Sequence, residues 1–104
     1  MLFRSMKLWV SPPELTFMMA FSPDGNGINE TFKMLTSSFN GDYELMVFNR
    51  WGQMVFKSND PKAAWDGQFN GAVVEKGTYD YSVRYRWGAT GEWKIKKGFV
   101  AVIL

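Results

Sequence analysis

The stretch TYDYSVRYRW, residues 78–87, decides the fold of this 104-residue chain. Along it, large apolar residues alternate with polar ones. One face would carry Tyr79, Tyr81, Val83, Tyr85 and Trp87, and the other Asp80, Ser82, Arg84 and Arg86. Because successive side chains of a β-strand point to opposite sides of the sheet, this alternation predicts a half-buried antiparallel strand.

Two hairpins are predicted around this strand. Residues 88–91, Gly-Ala-Thr-Gly, form a short glycine-bearing loop that leads into a second strand over residues 92–104. Earlier in the chain, residues 43–48 and 53–56 flank a four-residue connection at 49–52 that ends in glycine. Short loops of this kind join antiparallel neighbours, so each pair of strands is expected to form a hairpin.

The rest of the domain is predicted to be shorter strands and loops. Residues 15–21 and 31–35 are candidate strands, and residues 60–77 are mostly loop with one short strand near Val73 and Val74. The total is six or seven strands, separated by turn clusters every 8 to 12 residues or so. This spacing favours an all-β fold, an immunoglobulin-like antiparallel β-sandwich of about seven strands.

A break near the start of the chain separates a leader from the domain. Ser11, Pro12 and Pro13 restrict the backbone and remove two donors, so we assign residues 1–14 to a short leader or linker remnant and 15–104 to the domain. The first ten residues lack the apolar core of a signal peptide. No apolar run approaches the roughly 18 to 20 residues that cross a bilayer as a helix.

Composition excludes most catalytic designs. The chain has neither cysteine nor histidine, so thiolate nucleophiles, disulfides and the common zinc ligands are absent. No pair of acids has a spacing that indicates glycosidase chemistry. The net charge is only +2, without the basic run of a nucleic-acid-binding arm. We therefore expect no enzymatic activity, no cofactor and no nucleic-acid partner, and we interpret Lys94 and Lys96 as a solvated strand face.

Three stretches carry unusual motifs: FSPDGNGINETF at 21–32, FNRWGQMVF at 48–56, and WDG at 65–67 followed by NG at 70–71 and GTY at 77–79. In this order they resemble the gliding motility-associated C-terminal domain, the type B sorting domain of the type IX secretion system. The resemblance covers residues 21–104. Two positions depart from the family pattern: the order Asp24-Gly25-Asn26-Gly27 replaces asparagine-glycine-aspartate-glycine, and Glu30 stands where aspartate is common.

The resemblance implies a non-catalytic C-terminal module of secreted proteins. Such a module directs a passenger, joined upstream in the same chain, through the periplasm and the outer-membrane translocon to the medium or cell surface. Its recognition residues would be Phe21, Pro23, Asp24, Gly25, Asn26, Gly27, Asn29, Phe32, Asn49, Arg50, Trp51, Gly52, Trp65, Asp66, Gly67, Gly77 and Tyr79. The C-terminal strand would contribute Lys97, Gly98, Phe99, Val100 and Val102. An exposed edge of this strand could accept a strand of the translocon or of a second copy.

The first motif has two physical interpretations. Oxygen atoms of Asp24, Asn26 and Glu30 could bind calcium, although their spacing differs from that of an EF-hand. Alternatively, Gly25 and Gly27 adopt positive φ and form a tight turn without a metal. The turn is the preferred interpretation.

The tryptophans leave a second function open. Trp65 is expected in the core or a turn, whereas Trp51 could equally be a core residue or an exposed binding residue. With five tryptophans and four tyrosines, the alternative function is a carbohydrate-binding or adhesin-type β-sandwich module. Burial of Trp51, Trp65 and Trp93 would argue against sugar binding.

Overall fold

The computed structural model describes residues 14–25, 27, 30–36 and 38–103. Within these ranges it has no helix, and thus no helix that could cross a membrane. The seven strands are β1 Ala20–Phe21, β2 Gly41–Phe48, β3 Met54–Ser58, β4 Gln68–Phe69, β5 Ala72–Val73, β6 Gly77–Trp87 and β7 Lys94–Val102. The prediction of an all-β chain with about seven strands is confirmed. The first thirteen residues of the predicted leader lie outside the described residues.

Five of the strands form one sheet in the order β1-β7-β6-β2-β3, and β4 and β5 form a separate two-stranded sheet. Both predicted hairpins are present, with Val47 opposite Phe56 in β2–β3 and Tyr81 opposite Gly98 in β6–β7. β2 and β6 pair over eight residues each and make the centre of the sheet. One pair differs from the antiparallel prediction, because β1 runs parallel to β7.

The second layer is less regular than the sequence predicts. Residues 15–21 and 31–35 contribute only β1 and two isolated bridges, Phe17 to Met34 and Phe32 to Trp65. Residues 60–77 contain two short strands where one was predicted. Pro23 has no backbone N–H to donate, and Gly25 and Gly27 have positive φ. A long ladder of backbone hydrogen bonds therefore cannot form in this part of the chain. The result is compatible with a β-sandwich whose second layer is made of short segments.

The core lies between the main sheet and this second layer. Val47, Val83 and Val100 of the sheet are completely buried. Aromatic rings of the second layer cover them: Phe17 and Phe32 lie 4.9 and 5.3 Å from the ring of Tyr81, centroid to centroid. Rings at these separations contribute about 0.5–1.5 kcal/mol per pair beyond the burial of their area. Long-range aromatic packing therefore holds the irregular layer to the sheet.

The interpretation of Lys94 and Lys96 as a solvated face was wrong. They pair in register with Tyr85 and Val83 and so lie on the same side of the sheet as the core. Their side chains are half-buried at its rim, where the Lys96 ammonium group lies 3.5 Å from the Glu14 carboxylate. Long aliphatic stems can cover apolar surface while the charge stays in water, which lets lysines occupy these positions. Ile95 and Phe99 of the same strand point outward, whereas Val100 and Val102 are buried.

Tyr43 provides a first testable prediction. Its hydroxyl is buried and has no hydrogen-bond partner among the described residues, and burial, with smaller effects of Asp60 and Tyr81, raises its pKa above the ordinary value of 10.0. Because the pKa of Tyr43 is higher in the folded protein than in the unfolded chain, the neutral hydroxyl makes its full contribution to the unfolding free energy below pH 10. That contribution is lost as the pH rises through the folded-state pKa, at up to about 1.4 kcal/mol per pH unit. Tyr43→Phe should flatten this alkaline loss of unfolding free energy, measured by urea titration.

At neutral pH, Tyr43→Phe should leave the unfolding free energy unchanged or raise it by about 1 kcal/mol, because it removes an unpaired buried hydroxyl. The matched control is Tyr79→Phe. The Tyr79 hydroxyl donates to the Glu75 carbonyl at 2.7 Å, so its loss should cost about 1 kcal/mol. A Tyr43→Phe protein that loses as much stability as the control would contradict the assignment of an unpaired hydroxyl.

Candidate recognition surface

The three motif stretches, far apart in sequence, meet at one end of the five-stranded sheet. Val102 of β7 is the register partner of both Phe21 in the first motif and Gly77 in the third. Phe48, which begins the second motif, pairs with Asp80 close to the start of β6. We call this region the motif end; it comprises Phe21, Pro23, residues 49–52, Gly67 and residues 77–79. The parallel pairing of β1 with β7 is what brings the first motif there.

The first motif is a turn closed by a carboxylate. Gly25 and Gly27 both have φ of 82°, as the turn interpretation requires. Their backbone N–H groups donate to the two oxygens of Glu30, Gly25 to Oε1 at 2.8 Å and Gly27 to Oε2. Asp24 accepts a bond from the Ser22 hydroxyl at 3.1 Å. Asn26 and Asn29 lie outside the described residues. Among the described residues no group of three potential metal-ligating side chains is found.

The third motif packs directly on the first. Trp65 is buried, and its backbone exchanges two hydrogen bonds of 2.8 Å with Phe32. Its indole N–H donates to the Gln68 carbonyl at 3.0 Å, and its ring lies 5.4 Å from that of Phe21. Asp66 accepts the Gln68 N–H at 3.0 Å and forms a turn. The prediction of Trp65 as a core residue is confirmed.

The second motif is a loop organised by one side chain. The Asn49 carbonyl oxygen Oδ1 accepts the backbone N–H groups of Trp51 and Gln53, each at 2.9 Å. Gly52 takes φ of 81°, and its N–H bonds to the Asn49 carbonyl at 3.0 Å. An asparagine that bonds to its own backbone two and four residues on fixes the turn without tertiary contacts. The loop is therefore preformed.

This loop presents Trp51 to solvent. The Trp51 side chain is 77% exposed, the largest exposure of any described tryptophan, and the Arg50 guanidinium lies 5.1 Å from its ring centroid. Beside it, residues 49–51 and 75–79 line a small polar recess of about 80 Å³. Burial, with a smaller effect of Glu75, raises the pKa of Tyr79 at its base. An exposed indole beside a cation and a polar recess can contact a protein or a sugar ring.

The C-terminal strand is an interior strand where it approaches the motif end. Val100 and Val102 are buried, and the backbone N–H of Ile103 donates to the Phe21 carbonyl at 2.9 Å. Gly98 lies under Tyr81, since a Cβ atom there would be 2.7 Å from the tyrosine oxygen. Lys97 and Phe99 point to the opposite, open face. The edge expected to accept another strand is thus occupied by β1 over its last residues.

One cluster was not found from the sequence. The guanidinium carbons of Arg84 and Arg86 lie 4.3 and 4.7 Å from the ring centroid of Trp93, at the end of the sheet away from the motif end. Arg86 also pairs with Asp42 at 2.6 Å. The i, i+2 spacing of the arginines on a predicted strand places them on one face. Only the hairpin register brings Trp93 against them.

Comparison with known proteins assigns the chain to a family. A search of curated proteins found no match. The model of the CHU_C type IX secretion signal domain matches residues 15–102, which include all three motif stretches and the interior part of β7. That family is a sorting-signal family, and a match over most of the chain establishes membership. The chain belongs to the CHU_C type IX secretion signal domain family.

Proposed function

We propose that the folded domain is recognised at its motif end by a component of the outer-membrane translocon, and that it directs an upstream passenger to the cell surface. Membership in the type IX secretion signal family supports a sorting role and implies export. The observation that carries the proposal is that the third motif contacts both of the others: Gly67 lies against Pro23 and Phe21 of the first motif, and residues 75–79 line a recess with residues 49–51 of the second. The buried motif residues contribute to the core there, and Trp51 and Arg50 are exposed beside them.

The motif end has the properties of a protein contact. Trp51 and Arg50 belong to the residue types that dominate binding energy at interfaces. The Asn49 hydrogen bonds hold the loop in one conformation, so that little entropy is lost when a partner binds. Recognition would need no deep pocket and no catalytic group.

A carbohydrate-binding module remains the second candidate because of tryptophan exposure. Trp65 is buried, which argues against sugar binding at that position, but Trp51 is 77% and Trp93 is 41% exposed. Stacking of a sugar requires such open rings. Titration with oligosaccharides, monitored by tryptophan fluorescence, separates this candidate from translocon recognition.

The test of the proposal is an export assay with two matched tryptophan variants. A fluorescent passenger with a periplasmic export signal is joined ahead of the chain in a host with a working type IX system, and surface and medium fluorescence are measured. Trp51→Ala should lower export at least about tenfold, since truncating a central interface tryptophan commonly costs about 2 kcal/mol or more.

The control is Trp93→Ala, which removes an exposed tryptophan at the opposite end of the sheet and should leave export near the level of the unmodified domain. Retention of the unmodified fusion inside the cell would reject the sorting function. Equal export by both variants would reject the motif end as the recognised surface.

A further inference from the structure

The face of the main sheet opposite the core is not covered by any residue that the structure describes. Ile95 and Phe99 of β7 are 65% and 68% exposed there, although both are large and apolar. Next to Phe99, half-buried Met46 and Phe48 of β2 line a shallow groove that also includes Ser82 and Lys97. We call this surface the outer face. Large apolar side chains at this exposure are typical of a protein contact.

The charges of the outer face are separated along the strands. Asp80 and Arg84 point outward from β6, two residues on either side of Ser82. Among the described residues neither has an ion-pair partner within 4 Å, and the Arg84 guanidinium lies 4.3 Å from the Trp93 ring centroid. By contrast, Glu44 and Asp42 are already paired with Lys57 and Arg86. One acid and one base of β6 thus stand without an ion pair, each two residues from Ser82. Lys97 of β7 is a second base of this face without an ion pair among the described residues.

We propose that the outer face is the interface of a homodimer, in which a second copy packs sheet against sheet. The register partners Met46, Ser82 and Lys97 form a row perpendicular to the strands. A two-fold axis along this row places Asp80 of each copy opposite Arg84 of the other. It also places Ile95 of each copy opposite Phe99 of the other.

Electrostatics select this axis over the alternative. A two-fold axis parallel to the strands along β6 would place Arg84 against Arg84 and Asp80 against Asp80, and like charges in direct opposition disfavour an interface. The perpendicular axis brings together the two Lys97 side chains and also the two Lys57 side chains, since Lys57 is the register partner of Met46. Lys57 is already paired with Glu44, and the long stems of the lysines can carry their ammonium groups away into solvent.

The size of the face fits a dimer. The four strands β7, β6, β2 and β3 have 9, 11, 8 and 5 residues, and with about 3.4 Å per residue and about 4.8 Å between strands they cover roughly 540 Å² before the relief of the side chains is counted. Stable interfaces bury about 800 Å² per partner. Aligned packing of two sheets about 10 Å apart buries such faces in β-sandwiches.

The test is a charge swap measured by sedimentation equilibrium of the full 104-residue chain. The unmodified chain should form dimers. Asp80→Arg alone and Arg84→Asp alone should each weaken self-association at least about tenfold, because each variant creates two like-charge contacts per dimer. An equimolar mixture of the two variants should recover dimers, since both contacts between unlike chains are then attractive.

The control is Lys62→Asp, which reverses an exposed charge far from the outer face and should leave self-association unchanged. A chain that is monomeric at about 1 mM would overturn the proposal. So would single variants that dimerise as well as the unmodified chain, or a mixture that stays monomeric. A thermal unfolding curve of each variant checks that the variant is folded. Because self-association is measured on purified protein, its outcome is independent of the export assay.

Discussion

Trp65→Ala is expected to lower the unfolding free energy by about 4 kcal/mol, measured by urea denaturation followed by circular dichroism. Its indole lies 5.4 Å from the ring of Phe21 and 5.5 Å from that of Tyr79, so it joins the second layer to the main sheet. Truncation leaves a cavity where the two layers meet. Domains of this size have roughly 5–15 kcal/mol of stability, and such a loss removes much of it.

The matched control for this prediction is Trp51→Ala, which removes the same side chain from a solvent-exposed position. It should change the unfolding free energy by less than about 0.5 kcal/mol. If both tryptophan variants lost similar stability, the division of the motif residues into core and surface groups would be incorrect.

Gly67→Ala is expected to cost about 3 kcal/mol or more for two separate reasons. Gly67 has φ of 78°, a conformation that costs an L-residue about 1–2 kcal/mol. In addition, a Cβ atom would lie 2.9 Å from Cγ of Pro23 and 3.2 Å from Cε2 of Phe21. Overpacking of this kind typically adds about 1–3 kcal/mol. The first and third motifs can meet only because position 67 has no side chain.

Gly71→Ala isolates the conformational part of this cost. Its φ is 82°, close to that of Gly67, but a Cβ atom there would have no neighbour within 4 Å. The loss should therefore be about 1–2 kcal/mol. Equal losses for the two variants would mean that contact between the motifs contributes nothing at position 67.

These variants separate two roles that the motifs combine. Phe21, Phe32 and Trp65 are buried, so under the proposed function they would act on export only by making the domain fold. Arg50 and Trp51 are exposed, and their replacement leaves the core intact. An export defect in the first group is interpretable only with a stability measurement, whereas a defect in the second reports on recognition directly. This distinction guides the choice of variants in secretion assays.

Sequence by itself determined the hairpins, the buried face of β6 and the turns of the motifs. Each depends on local physics: the two-residue period of a strand, the positive φ of Gly25 and Gly27, and the side-chain bonds of Asn49 to its own backbone. The family resemblance also comes from these local signals, because glycine and asparagine at fixed spacing define the turns. Such features could be predicted without knowing what lies across the sheet.

Tertiary structure alone decided which side of the sheet each residue of β7 faces, and which motif residues are exposed. The sequence predicted that Lys94 and Lys96 form a solvated face of β7. In the structure these two lysines lie toward the core, and Ile95 and Phe99 lie toward solvent. The register with β6 fixes this, and a shift of one residue would invert it. Likewise, the sequence left open whether Trp51 is a core residue or an exposed one, and its exposure depends on what packs around the loop in the folded chain.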